Sequence, residues 1–154
     1  MLSEDLNKRL TKIIVECLEL KNKYVEEKNL QVDYVCIFSH SINEYDELEK
    51  QAHQNGDLIE TTATGPIFKF IISPHTIAGK PKVFKIRQPD EARPEQGDVD
   101  FTTNYEQFKS KYLDNNKFTL IQREKFEMIE LKDPDFNVRV YFSSIPPSTL
   151  RGIN

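Results

Sequence analysis

The chain carries one pattern twice, and that repetition limits its topology more than any single element does. Val32-Asp33-Tyr34-Val35-Cys36-Ile37-Phe38 has the alternating, β-branched and aromatic texture of a strand, and a helix with Tyr45, Leu48 and Ala52 on one face follows it. Strand-like segments at 58–62, 67–72 and 82–87 come next. After residue 97 the order begins again: Asp98-Val99-Asp100-Phe101-Thr102 as a strand, a helix carrying Tyr105, Phe108 and Tyr112, then strands at 118–122, 126–131 and 138–143. Glu44-Tyr45-Asp46 aligns with Asn104-Tyr105-Glu106, a spacing of about 60 residues. Each half therefore reads strand, helix, strand, strand, strand.

Residues 88–97 hold two prolines, four charges and nothing apolar larger than Ala, which makes them a linker between the halves. Ahead of both halves, Leu6, Leu10, Ile13, Ile14, Cys17, Leu20 and Tyr24 recur at helical spacing, predicting an amphipathic helix over 3–28 with Ser3 as its N-cap. Asn43 is the expected cap of the next helix, and Asn55-Gly56 its expected left-handed close. Asn104 is the expected cap of the third helix, and Asp133-Pro134-Asp135 suits a tight turn between the last two strands. The whole is one α+β domain over 1–154: helix 3–28, first unit 32–87, linker 88–97, second unit 98–143 and tail 144–154.

At 154 residues, with 38% hydrophobic and 10% aromatic residues, the chain has material for one packed core. Lys and Arg number 21 against 25 Asp and Glu, so no overall positive field favours nucleic acid or an anionic membrane. The apolar runs fall far short of the ~20 residues that span a bilayer, and the N-terminus lacks a leader's basic and apolar regions. Cys17 and Cys36 sit inside apolar patterns as reduced thiols. These features lead to the expectation of a soluble, cytoplasmic protein.

The tandem βαβββ pattern resembles the vicinal oxygen chelate superfamily of glyoxalases, extradiol dioxygenases and bleomycin-resistance proteins. The resemblance covers about residues 31–144 and includes the texture of Val32-Asp33-Tyr34-Val35, Glu44-Tyr45-Asp46-Glu47-Leu48 and Lys132-Asp133-Pro134-Asp135-Phe136. The added N-terminal helix is most similar to a small group within it typified by YecM. The resemblance implies a curled mixed sheet, with metal ligands drawn from the first and fourth strands of each unit. Those positions here are Tyr34, Lys85 or Arg87, Asp98 or Asp100, and Arg139 or Tyr141. Lysine and arginine offer no lone pair and repel a divalent ion. Only Asp98, Asp100, Glu127 and Glu130 stand as acidic ligands, and no metal or other cofactor is expected.

Alternation along the strands gives a reading of its own. Val35, Ile37, Val99 and Phe101 point under the helices, leaving Tyr34, Cys36, Phe38, Asp98 and Asp100 on the opposite face. Lys85 and Arg87 share a face, as do Arg139 and Tyr141. If the sheet curls, these faces meet in one cleft, where Lys85, Arg87 and Arg139 would grip a small anion with Tyr141, Glu127 and Glu130 around it. Lys85 and Arg87 are then expected within reach of Asp98 and Asp100. The bland alternative is a solvated face with weakly paired charges. A second alternative is an isomerase or lyase with Asp98 or Asp100 as base and Tyr34 or His40 as proton partner. A third is an interaction protein, a homodimer joined through the N-terminal helix. The linker's 93–98 end could shape one cleft wall, although a connector needs no such role.

Overall fold

A computed structural model describes residues 4–153. Its elements are α1 (Glu4–Tyr24), β1 (Gln31–Phe38), α2 (Ile42–Asn55), β2 (Gly56–Thr62), β3 (Gly65–Phe70), β4 (Val83–Arg87), β5 (Gly97–Thr102), α3 (Tyr105–Tyr112), β6 (Phe118–Gln122), β7 (Glu127–Leu131), β8 (Arg139–Ser143) and α4 (Pro147–Leu150). The duplicated pattern is thus a duplicated topology. The eight strands form one mixed sheet in the order β2-β3-β4-β1-β5-β8-β7-β6. Each unit's first strand lies parallel to its own last strand, and the two first strands pair antiparallel at the centre.

Register turns the alternation of single strands into rows across the sheet. Cys36 on β1 pairs with Lys85 on β4 and Asp98 on β5, and Asp98 pairs with Arg139 on β8. A second row runs Tyr34, Asp100, Tyr141, Glu130. Paired residues point to the same side, so both rows lie on one face. The other face is apolar and covered by helices. Leu6, Leu10, Ile13, Ile14, Cys17 and Leu20 of α1 are at most 1% exposed, and α1 packs across β1, β5 and β8. The α1 stripe is therefore buried within its own chain, which removes it as the expected surface for a second copy.

Several local expectations are corrected. α1 stops at Tyr24, short of residue 28, where buried Lys21 donates its ammonium to the Glu27 carbonyl at 2.7 Å and fixes the chain's exit. Ser3 lies outside the described residues. Ser41, one position before the helix, caps α2 instead of Asn43: its Oγ accepts from the Glu44 N–H at 3.1 Å. Gly56 is extended, at φ −150°, and opens β2 without a left-handed turn. Space is its requirement, since a Cβ there would sit within 3.0 Å of Phe84, Phe68 and the Lys69 carbonyl. Asn104 precedes α3, but its side chain makes no capping hydrogen bond.

The tail is structured as well. Pro147–Leu150 forms α4, whose start is capped by Asp33 from a distant strand. The Asp33 carboxylate accepts from the Ser148 N–H at 2.9 Å and the Ser148 hydroxyl at 2.6 Å, with both residues buried. No helix among the described residues is long and apolar enough to cross a membrane.

Candidate functional site

On the face away from α1 the sheet bends around a cavity of about 170 Å³. Thr62 of β2 and Met128 of β7, from opposite wings of the sheet, both line it. So do Tyr34, Lys85, Arg87, Asp98, Asp100 and Tyr141, six residues that alternation had placed on one face. Lys85, Asp98 and Asp100 are 8%, 6% and 2% exposed, so this is not the solvated face of the bland alternative.

The expected charge pairs do not form. Two strand spacings, about 10 Å between backbones, separate β4 from β5, and the β4 cations find nearer partners. Lys85 Nζ donates instead to Thr64 Oγ1 at 2.6 Å, and Arg87 reaches Asp90 Oδ2 at 3.3 Å. The cation beside Asp98 is Arg93 from the linker, with Nη1 3.9 Å from Asp98 Oδ2. Arg93 also donates to Tyr141 Oη at 3.3 Å, lies 5.5 Å from the centre of the Phe38 ring, and lines the cavity. The linker therefore supplies a wall of the cleft.

Burial dominates the proton chemistry. It pushes the Asp98 carboxyl up to about 7 against the opposing pull of Arg93 and Lys85. Burial also lifts Asp100 well above the usual carboxylate range, although the Ser143 hydroxyl donates to its Oδ2. Burial raises the Tyr34 phenol and, up to about 12, the Cys36 thiol, so neither ionises near neutral pH. Lys85 is lowered by burial, and the cations around it add to that effect. Asp98 Oδ1, Asp100 Oδ1 and Arg87 Nε are buried with no hydrogen-bond partner.

Four expected site residues lie elsewhere. Arg139 does not line the cavity: it donates from Nε to Glu95 Oε2 at 2.9 Å and from Nη2 to the Ala92 carbonyl at 2.8 Å, fastening the linker to β8. Glu127 points to the helix side, where Tyr105 and Lys109 of α3 each donate to it at 2.7 Å. Strand residues three apart face opposite ways, so Glu127 and Glu130 cannot share a site. His40 is exposed at the end of β1, its Nε2 2.8 Å from the Glu95 carbonyl and outside the cavity lining. Glu130 stands behind the cleft, accepting from Tyr141 Oη at 2.6 Å and lying 3.6 Å from Arg139 Nη1.

Arg123, Arg151, Pro147 and Leu150 line the cavity without having been expected there. They sit in the β6–β7 turn or the tail, where no periodicity assigns a direction. Arg151 also lies 3.1 Å from Glu60, tying the tail to β2.

The donor set does not suit the divalent metal that the resemblance implies. The corresponding positions carry a phenol, an ammonium or guanidinium, two carboxyls disfavoured as anions by burial, and a second phenol or guanidinium. Among the described residues no three His, Cys, Asp or Glu side chains are grouped to hold a metal ion.

No family model matches the chain, and no curated protein matches it. Among solved structures, one described as structural-genomics Protein EC4020 is 14% identical, with a TM-score of 0.74 over 97% of this chain and 91% of that one. A glyoxalase/bleomycin resistance protein/dioxygenase superfamily member from Vibrio splendidus 12B01 is 8% identical, with a TM-score of 0.48 over 74% of this chain and 97% of that one. Hypothetical protein BH1468 from Bacillus halodurans C-125 is 13% identical, with a TM-score of 0.43 over 75% of this chain and 94% of that one. Two βαβββ units joined through their first strands, preceded by an N-terminal helix, make up the fold, and it is the fold of Protein EC4020.

Proposed function

We propose that the cleft binds a small anionic molecule without a catalytic metal. The observation that carries this reading is a concentration of charge: Lys85, Arg87, Arg93, Arg123 and Arg151 line one cavity against only Asp98 and Asp100, in a chain whose net charge is −4. Burial of Lys85 strengthens its field, and Arg87, Arg93 and Arg151 are half-buried. Arg87 Nε is a buried donor still lacking an acceptor. A volume of about 170 Å³ is close to a cavity that holds benzene, ~150 Å³, and so suits a compact ligand. The buried free thiols of Cys17 and Cys36 fit a reducing, cytoplasmic setting.

A thermal-shift screen of small carboxylates and phosphates tests the proposal. A ligand-induced rise in melting temperature is expected for the wild type and for Lys50→Ala, an exposed position outside the cavity, and is lost in Lys85→Met and Arg87→Gln. Equal rises in all four proteins would refute it.

A second reading, proton transfer of the isomerase or lyase type, is favoured by Asp98 alone. A carboxyl poised at about 7 is matched to abstracting a proton near neutral pH, and the facing cations would stabilise an enolate oxygen. Tyr34 holds its proton too tightly to serve as the partner acid, and His40 lies outside the cavity. NMR of small keto and hydroxy acids in deuterated water would show exchange next to the carboxylate that Asp98→Asn abolishes. Exchange that persists in Asp98→Asn would overturn this reading, as would its absence from the wild type.

A further inference from the structure

The cavity has two unlike walls. Lys85 and Arg87 stand on β4, Asp98 and Asp100 on β5, and β1 runs between them. Each wall holds buried atoms with nothing to bond: Arg87 Nε on one side, Asp98 Oδ1 and Asp100 Oδ1 on the other. The other oxygen of each carboxyl is already engaged, Asp98 Oδ2 facing Arg93 and Asp100 Oδ2 accepting from Ser143. Both aspartates are more than nine-tenths buried, so each remaining oxygen calls for a hydrogen-bond partner. The ligand that completes both walls offers acceptors at one end and, at the other, hydroxyl groups, which donate to a carboxylate and accept from a protonated carboxyl.

We propose that this ligand is a short hydroxycarboxylate, with its carboxylate on Lys85 and Arg87 and its hydroxyls hydrogen-bonded to Asp98 and Asp100. This deepens the anion-binding reading and rests on it. The two walls flank β1, and the cavity of about 170 Å³ they line suits a chain of about three or four carbons. Hydroxyl groups fit better than an ammonium group, because they satisfy the carboxyls without adding a charge among five lining cations.

Titration calorimetry of the full chain with propionate, lactate, glycerate and serine tests this, since all four share a three-carbon skeleton. Affinity is expected to rise about tenfold with each hydroxyl, so that glycerate binds roughly a hundredfold more tightly than propionate. In Asp98→Ala the glycerate advantage should fall to about tenfold, while propionate, relieved of a neighbouring carboxyl, binds no more weakly. The wild-type series alone decides the matter if that variant does not fold. Equal binding of propionate and glycerate would overturn the hydroxycarboxylate and leave the anion site standing. Tighter binding of serine than glycerate would overturn it in favour of an amino acid, and failure of all four to bind would remove the anion site and this inference together.

Discussion

Replacing Asp98 by asparagine should stabilise this protein at neutral and alkaline pH. The side chain is 6% exposed, one of its oxygens has no hydrogen-bond partner, and its carboxyl is pushed by burial from an ordinary 3.8 to about 7. The folded state therefore holds this proton more tightly than the unfolded chain. Between about pH 4 and pH 7 the native carboxyl stays protonated while the unfolded one ionises, so stability falls as pH rises across that window. Above the folded value the full penalty is present. A shift of about three units corresponds to roughly 4 kcal/mol. The pull of Arg93, 3.9 Å away, is already contained in that shift. A gain of about 4 kcal/mol for Asp98→Asn is then expected at pH 8, shrinking toward zero by pH 4. Urea denaturation at pH 4, 5, 6, 7 and 8 reads this directly. A variant less stable than wild type at pH 8, or a difference that does not change with pH, would refute the reasoning. The sign is opposite to what a carboxylate paired with Lys85 or Arg87 would give, because those cations are engaged by Thr64 and Asp90.

Other consequences are simpler. Asp33→Ala leaves the Ser148 N–H and hydroxyl without their acceptor, and should cost about 2–3 kcal/mol in denaturant titrations while exposing the 147–153 segment to proteolysis. Leu10→Ala, at a position with no solvent exposure, should cost about 2–5 kcal/mol in the same assay. Ser41→Ala should cost about 1 kcal/mol through its lost cap, whereas Glu106→Ala on the exposed face of α3 should stay within about 0.5 kcal/mol.

Side chains whose direction is set by backbone period were legible from the sequence. Alternation put Lys85 with Arg87 and Asp98 with Asp100, and the repeated pattern supplied the order of elements that brings those strands together. Register was not legible, because nothing in the sequence says that Cys36 stands between Lys85 and Asp98. Without that spacer the two pairs looked like partners. Arg93, Arg123 and Arg151 lie in a linker, a turn and a tail, and only tertiary packing turns them toward the cavity. Arg139 shares the cleft-facing row and was still misread, since its length lets Glu95 and Ala92 draw it away. Pro147 and Leu150 of α4 add to the cavity lining, and a four-residue helix anchored by a distant aspartate is not announced in sequence.

An anion received on the β4 wall of the cleft would be registered by arginine side-chain NMR during a propionate titration. One Nε–Hε signal, identified as Arg87 by its disappearance in Arg87→Lys, should move saturably, together with backbone signals of Tyr34, Asp98 and Asp100 around the same cavity. An unmoved Arg87 signal, with unsaturable shifts spread over exposed Lys8, Lys12 and Lys50, would contradict it.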